Sequence, residues 1–157
     1  MSEAFPAVND VSQAAIVSVP DEGAWFTAVP GERMSIRVRS AEVDGRYAII
    51  ESITQPGAAA PIHYHQEDEI FLVVEGVMTF SCGGKLFEAK AGTTVVVPAG
   101  AHHAWKNRTT STVRMFITFS PGGFETVLER IGGCSIEEIA ALAASRGSQV
   151  VGPPIDG

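Results

Sequence analysis

The chain has 157 residues, the size of one ordinary domain and enough to bury a core without disulfides. Hydrophobic residues make up 45% of it and charged residues 18%, which excludes a largely disordered chain. Eighteen Asp and Glu against eleven Lys and Arg give a net charge of -7 with no basic cluster, so nucleic acid is not an expected partner; nor is a membrane, because no apolar run approaches the roughly 20 residues that span a bilayer.

Met1 to Asp10 carry no basic residue, so no secretory leader is expected. Residues 1–33 read as an N-terminal extension. From there to about residue 119 the chain reads as short strands between turn signals, with residues 46–53, 71–74, 77–81, 85–89 and 94–97 rich in β-branched and aromatic side chains. Gly57, Gly76, Gly83, Gly84, Gly92 and Gly100 stand where tight antiparallel connections need φ > 0. An all-β sandwich or barrel over about 34–119 follows.

After Phe119 the texture changes. Ser120 and Pro121 can cap and open a helix carrying Phe124, Leu128 and Ile131 and ending at Gly132. Ser135 and Glu138 form a capping box for a second helix, with Ile136, Ile139, Ala140 and Ala143 as its apolar stripe and Gly147 just past its end. The stripe needs a surface to cover. The simplest placement is the outside of the β body, which makes 120–157 a helical appendage of one domain spanning 1–157. Cys82 and Cys134, the only cysteines, are too sparse for a disulfide scaffold and fit a reducing cytoplasm.

All four histidines fall in two short segments. His63 and His65 are two apart, so on a strand both rings leave one face with their Cα atoms about 7 Å apart. An unbroken strand would carry Glu69 about 13 Å beyond His65, too far for a shared metal bond near 2.1 Å, so the chain should turn through Gln66, Glu67 and Asp68 and place Glu69 on the neighbouring strand. The turn Pro98-Ala99-Gly100 launches a further strand near His102, on which alternation lets only one of His102 and His103 point inward. Glu67 and Asp68 read as a solvated turn. Phe71, Val73, Phe80, Phe87, Trp105 and Phe116 are candidates for a pocket wall, although such residues in strands are ordinarily core.

The spacings are Gly57, five residues, His63, one, His65, three, Glu69, six, Gly76, and then Gly92, five, Pro98, one, Gly100, two, His103, three, Asn107. Together they match the double motif of the cupins, and the chain resembles a small single-domain cupin. The run Ser120-Pro121-Gly122-Gly123-Phe124-Glu125 and the ending Val151-Gly152-Pro153-Pro154 are similar to the tails of bacterial cupins of the quercetin 2,3-dioxygenase type. The resemblance implies a jelly-roll β-barrel (double-stranded β-helix) with two short C-terminal helices, a metal held by His63, His65, Glu69 and His103, and a dimer. It selects His103 over His102.

Three imidazoles and a carboxylate suit one divalent transition metal ion, whether Mn, Fe, Co, Ni, Cu or Zn. Four protein donors on an octahedral ion leave two positions for a small-molecule substrate, or for substrate and dioxygen together. Glu69 could also leave the ion and act as general base. Three functions are therefore open: a dioxygenase cleaving a flavonol-like or other enolisable aromatic compound, a metal-dependent lyase or isomerase of a small keto or hydroxy acid, and a non-enzymatic small-molecule binder. Residues 70–74 are apolar at both parities, so Ile70, Leu72 and Val74 need cover beyond the barrel interior, which with the resemblance points to a homodimer.

Overall fold

Residues 15–20 and 22–157 are described by the computed structural model. The chain alternates buried and outward residues along the strand Val113–Ser120, whose inward Val113, Met115, Ile117 and Phe119 are all buried. In chain order the strands are β1 (Phe26–Thr27), β2 (Glu32–Val38), β3 (Ala48–Thr54), β4 (Ala59–Tyr64), β5 (Asp68–Glu75), β6 (Val77–Cys82), β7 (Lys85–Lys90), β8 (Thr94–Val97), β9 (His103–Lys106) and β10 (Val113–Ser120). Helices α1 (Glu125–Ile131) and α2 (Ile136–Ser145) follow, and then β11 (Gln149–Val150). The strands form two antiparallel sheets, ordered β1-β2-β3-β10-β5-β8 and β11-β4-β9-β6-β7. This is a jelly roll with two short helices after the barrel, and its inner faces meet in a core built around Phe71, Phe80, Ile50, Met78, Met115 and Ile117.

The turns follow from glycine. Gly76, between β5 and β6, has φ 82°, and a Cβ there would stand 2.8 Å from the carbonyl oxygen of Thr112, so both dihedral and space require glycine. On β5 burial alternates as the sequence predicts, with Glu69, Phe71 and Val73 inward.

Several expectations need correction. The first helix does not open at Ser120-Pro121: Ser120 still pairs with Asp68 as the end of β10, and α1 starts at Glu125. The Glu125 carboxylate fixes that start by accepting the backbone N–H groups of Ser40 at 2.8 Å and Gly123 at 2.6 Å. The capping box of Ser135 and Glu138 forms at α2, but its inward side carries Ile139, Leu142 and Ala143, while Ala140 is exposed. The helices do not lie on the outside of the β body. Phe124, Val127 and Ile131 enter the main core, and the helices wall one side of the interior cavity. The tail is more than an appendage, because β11 pairs with β4, setting Val150 opposite His63, and Val151 and Gly152 donate to the carbonyl of Ile62. Of the extension expected over 1–33, residues 1–14, which include Met1 to Asp10, lie outside the described residues, while β1 and the start of β2 already belong to the sheet.

Candidate metal centre

His63 lies on β4 directly opposite His103 on β9, so the ladder itself sets two imidazoles side by side, with ring centroids 4.3 Å apart. His65 stands one residue past the end of β4, where its carbonyl accepts the N–H of Gly100 at 2.8 Å and ties this turn to the one that launches β9. Asp68 strengthens the tie by accepting the N–H of Ala99 at 2.8 Å. The chain then crosses to the other sheet. Glu69 sits on β5, paired with Phe119 and Val97, so it reaches the histidines from the opposing sheet rather than from a strand beside β4.

The structure brings His63, His65, Glu69 and His103 together, with their donor atoms all within 4.8 Å of one another. His102 turns away, exposed, and stacks on Tyr64 at 5.2 Å. Glu67 departs from the expected solvated turn: it is buried, with its Oε2 unpartnered and 3.6 Å from Nδ1 of His65. Asn107 is structural, donating to the carbonyls of Thr54 and Ser111 and accepting from Thr109.

Each of the three clustered imidazoles has its Nδ1 on a backbone carbonyl: His63 on Pro61 at 2.7 Å, His65 on Glu67 at 3.0 Å and His103 on Ala101 at 2.8 Å. A carbonyl can only accept, so each Nδ1 donates and the neutral ring carries its lone pair on Nε2. Those of His65 and His103 lie 2.8 and 3.0 Å from the same oxygen, Oε2 of Glu69. Lone pairs facing a carboxylate at these distances repel unless a proton or a cation lies among them. Two donors each about 2.1 Å from one ion and at right angles around it stand about 3.0 Å apart, so the separations of His65 and His103 from Glu69 fit a shared ion.

With a proton in place of an ion, the same contacts become hydrogen bonds and shift the pKa values of the cluster. Burial pushes the His63 pKa down to about 4, helped by the neighbouring His103. Burial would also lower His65, but the hydrogen bond and charge of Glu69, with Glu67, outweigh it and raise the value. Burial would raise Glu69, yet hydrogen bonds from His103 and His65 hold it near 2.

Beside the cluster is a cavity of about 130 Å³. Trp105, Phe119, Phe124, Met34 and Val29 line it, with Val127, Leu128 and Ile131 of α1, and no Lys or Arg takes part among the described residues. Of the expected wall residues only Trp105 is there. Phe71, Val73 and Phe80 are core, Phe87 stacks on Phe80 from a partly exposed position, and Phe116 lies under Arg114 on the outer face. Sequence reasoning also missed Glu32, which lines the cavity while 2% exposed. Its signal was phase: Glu32 shares the period-two face of Met34 on β2.

Residues 51–119 match the family model for the cupin domain. No curated protein sequence matches the chain. Among solved structures the chain is similar to KdgF from Halomonas sp. (21% identity, 69% of this chain and 97% of the other, TM-score 0.62). It is also similar to an RmlC-like cupin from Shewanella frigidimarina (19%, 73% and 97%, TM-score 0.62). A predicted oxalate decarboxylase from Thermotoga maritima aligns as well (18%, 67% and 98%, TM-score 0.57). At these identities the likeness is one of fold.

Burial of Glu32 raises its pKa from 4.5 to about 8, against the pull of the Ser52 hydrogen bond and with a push from the charge of Glu69. Below 4.5 the group is protonated in both folded and unfolded chains. Between 4.5 and about 8 the unfolded chain gives up this proton while the folded one keeps it, so this group's contribution to stability falls as pH rises. Glu32→Gln is neutral throughout. Denaturant melts of the two metal-free proteins across this range should show the variant gaining on the wild type as pH rises; a constant difference would contradict the shift.

Proposed function

We propose that this cupin holds one divalent transition metal ion through His63, His65, Glu69 and His103 and acts as a dioxygenase on a flavonol-like or other enolisable aromatic compound. The observation that carries the aromatic reading is the apolar cavity beside the donor cluster, walled by Trp105, Phe119 and Phe124 with no Lys or Arg among the described residues. A small keto or hydroxy acid would have the ion as its cationic partner but little apolar surface to lay against this aromatic wall. A flat aromatic ring would bury its faces against matching surfaces.

When bound, the ion supplies positive charge for an enolate oxygen, with two coordination positions left by the four protein donors. The chain does the rest. The backbone carbonyls of Pro61, Glu67 and Ala101 hold the three imidazoles in the tautomer that offers Nε2. Glu69, ionised at neutral pH, takes the proton from the substrate hydroxyl. The apolar side chains of α1 and α2 border the space where the enolate would react. The two free thiols, Cys82 and Cys134, agree with a reducing cytoplasm as the place of action.

An oxygen electrode tests the reaction. Metal-loaded protein with quercetin or a related enol should consume dioxygen, and Glu69→Gln at full metal loading should turn over at least about 10²-fold more slowly, the usual scale for a lost general base. Carbonyl turnover without oxygen uptake would favour a lyase or isomerase, and ligand binding without turnover a binder.

The outer face of β5 and β8 supports a homodimer. Leu72 is 39% exposed and Val96 58%, and neither the helices nor the second sheet covers them among the described residues. A second subunit would bury this strip. Sedimentation at high micromolar concentration should show a dimer, and a monomer would refute it.

A further inference from the structure

The cavity holds a carboxyl group that the proposed metal centre does not use. Glu32 enters from β2, where Leu or Met would continue the apolar face set by Met34. Its Oε1 accepts the hydroxyl of Ser52 at 2.7 Å. Among the described residues no Lys or Arg pairs with it and no hydrogen bond reaches its second oxygen. The side chain lines the cavity, so the cavity is the space in which that oxygen can meet a ligand.

A carboxyl in such surroundings is unfavourable for the fold unless something polar meets it, and replacement by an apolar residue of similar size ordinarily stabilises. Groups retained against stability mark sites of function. We propose that Glu32 is a second ligand-contacting group of this site, its carboxyl hydrogen-bonding an oxygen of the molecule held in the cavity. Burial favours the protonated carboxyl, the form that can donate to such an oxygen. The ligand then needs an oxygen acceptor for Glu32 as well as an oxygen for the ion, on an otherwise apolar body. An enolone on an aromatic frame has this pattern, whereas a hydrocarbon or a simple phenol does not. The inference rests on the reading of this cavity as the binding site for an enol-type molecule.

The test uses the full chain, metal-loaded and anaerobic, with 3-hydroxyflavone as probe and fluorescence as readout. Glu32→Gln keeps a donor and should bind within about threefold of the wild type, while the double variant Glu32→Leu, Ser52→Ala removes both polar partners and should bind about tenfold or more weakly. Metal content of the double variant should be unchanged, and its melting temperature equal to or above that of the wild type. Unchanged affinity in the double variant overturns the proposal. So does a lower melting temperature or lost metal in that variant, since Glu32 would then serve the fold. If the wild type ignores 3-hydroxyflavone, the flavonol reading fails by itself, and the same variants are read with tropolone, a smaller enolone. Equal tropolone affinity across the variants, or no tropolone binding, overturns the role of Glu32 as well.

Discussion

Three imidazole lone pairs and one carboxylate are held against each other in a buried space, and the rest of the molecule is arranged to keep them there. Each ring is turned by a hydrogen bond from Nδ1 to a carbonyl two residues away in the chain, so its orientation is a property of the local backbone. The opposition comes from topology. The histidines belong to the β4 and β9 side of the roll and Glu69 to the β5 side, so the donors converge only because the two sheets close on each other. Ties such as Gly100 to His65 and Ala99 to Asp68 fix the two turns that a cluster of mutually repelling groups would otherwise spread.

The second constraint is apolar. A charged cluster in a dry interior strengthens every electrostatic interaction nearby, because little water screens it. Phe119 packs edge-on against His65 at 5.7 Å and Phe124 lies 5.4 Å from the same ring, so the aromatic wall is continuous with the donor set. The helices complete that wall, which gives the stretch after β10 a part in the site and not only in the surface of the fold. Carboxyl groups then divide by environment: Glu69, met by imidazoles, is held ionised, and Glu32, met by a single hydroxyl, is held neutral.

The donor cluster was legible in the sequence because its constraints are local. Spacing of two puts His63 and His65 on one face, and adjacency forces a choice between His102 and His103. The turn before Glu69 was legible too, from reach, but the sheet it leads to was not, since spacing carries no information about which strands pair. Trp105 could be placed because it shares the parity of His103. Phe119 and Phe124 could not, because they reach the cavity through the register of β10 on β5 and the packing of α1, both set by contacts far apart in the chain. The helix placement failed for the same reason. An apolar stripe says that a surface is covered and not which one.

Repulsion among the Nε2 lone pairs and Glu69 is relieved most simply by one shared cation, and the metal content of the purified chain measures that directly. Elemental analysis should find about one transition metal ion per chain, since four convergent donors should outcompete ordinary buffers. His103→Ala should lower the occupancy strongly and His102→Ala should leave it unchanged. A freshly purified protein that is metal-free and takes up none of Mn, Fe, Co, Ni, Cu or Zn on titration, or equal losses in the two histidine variants, would contradict it.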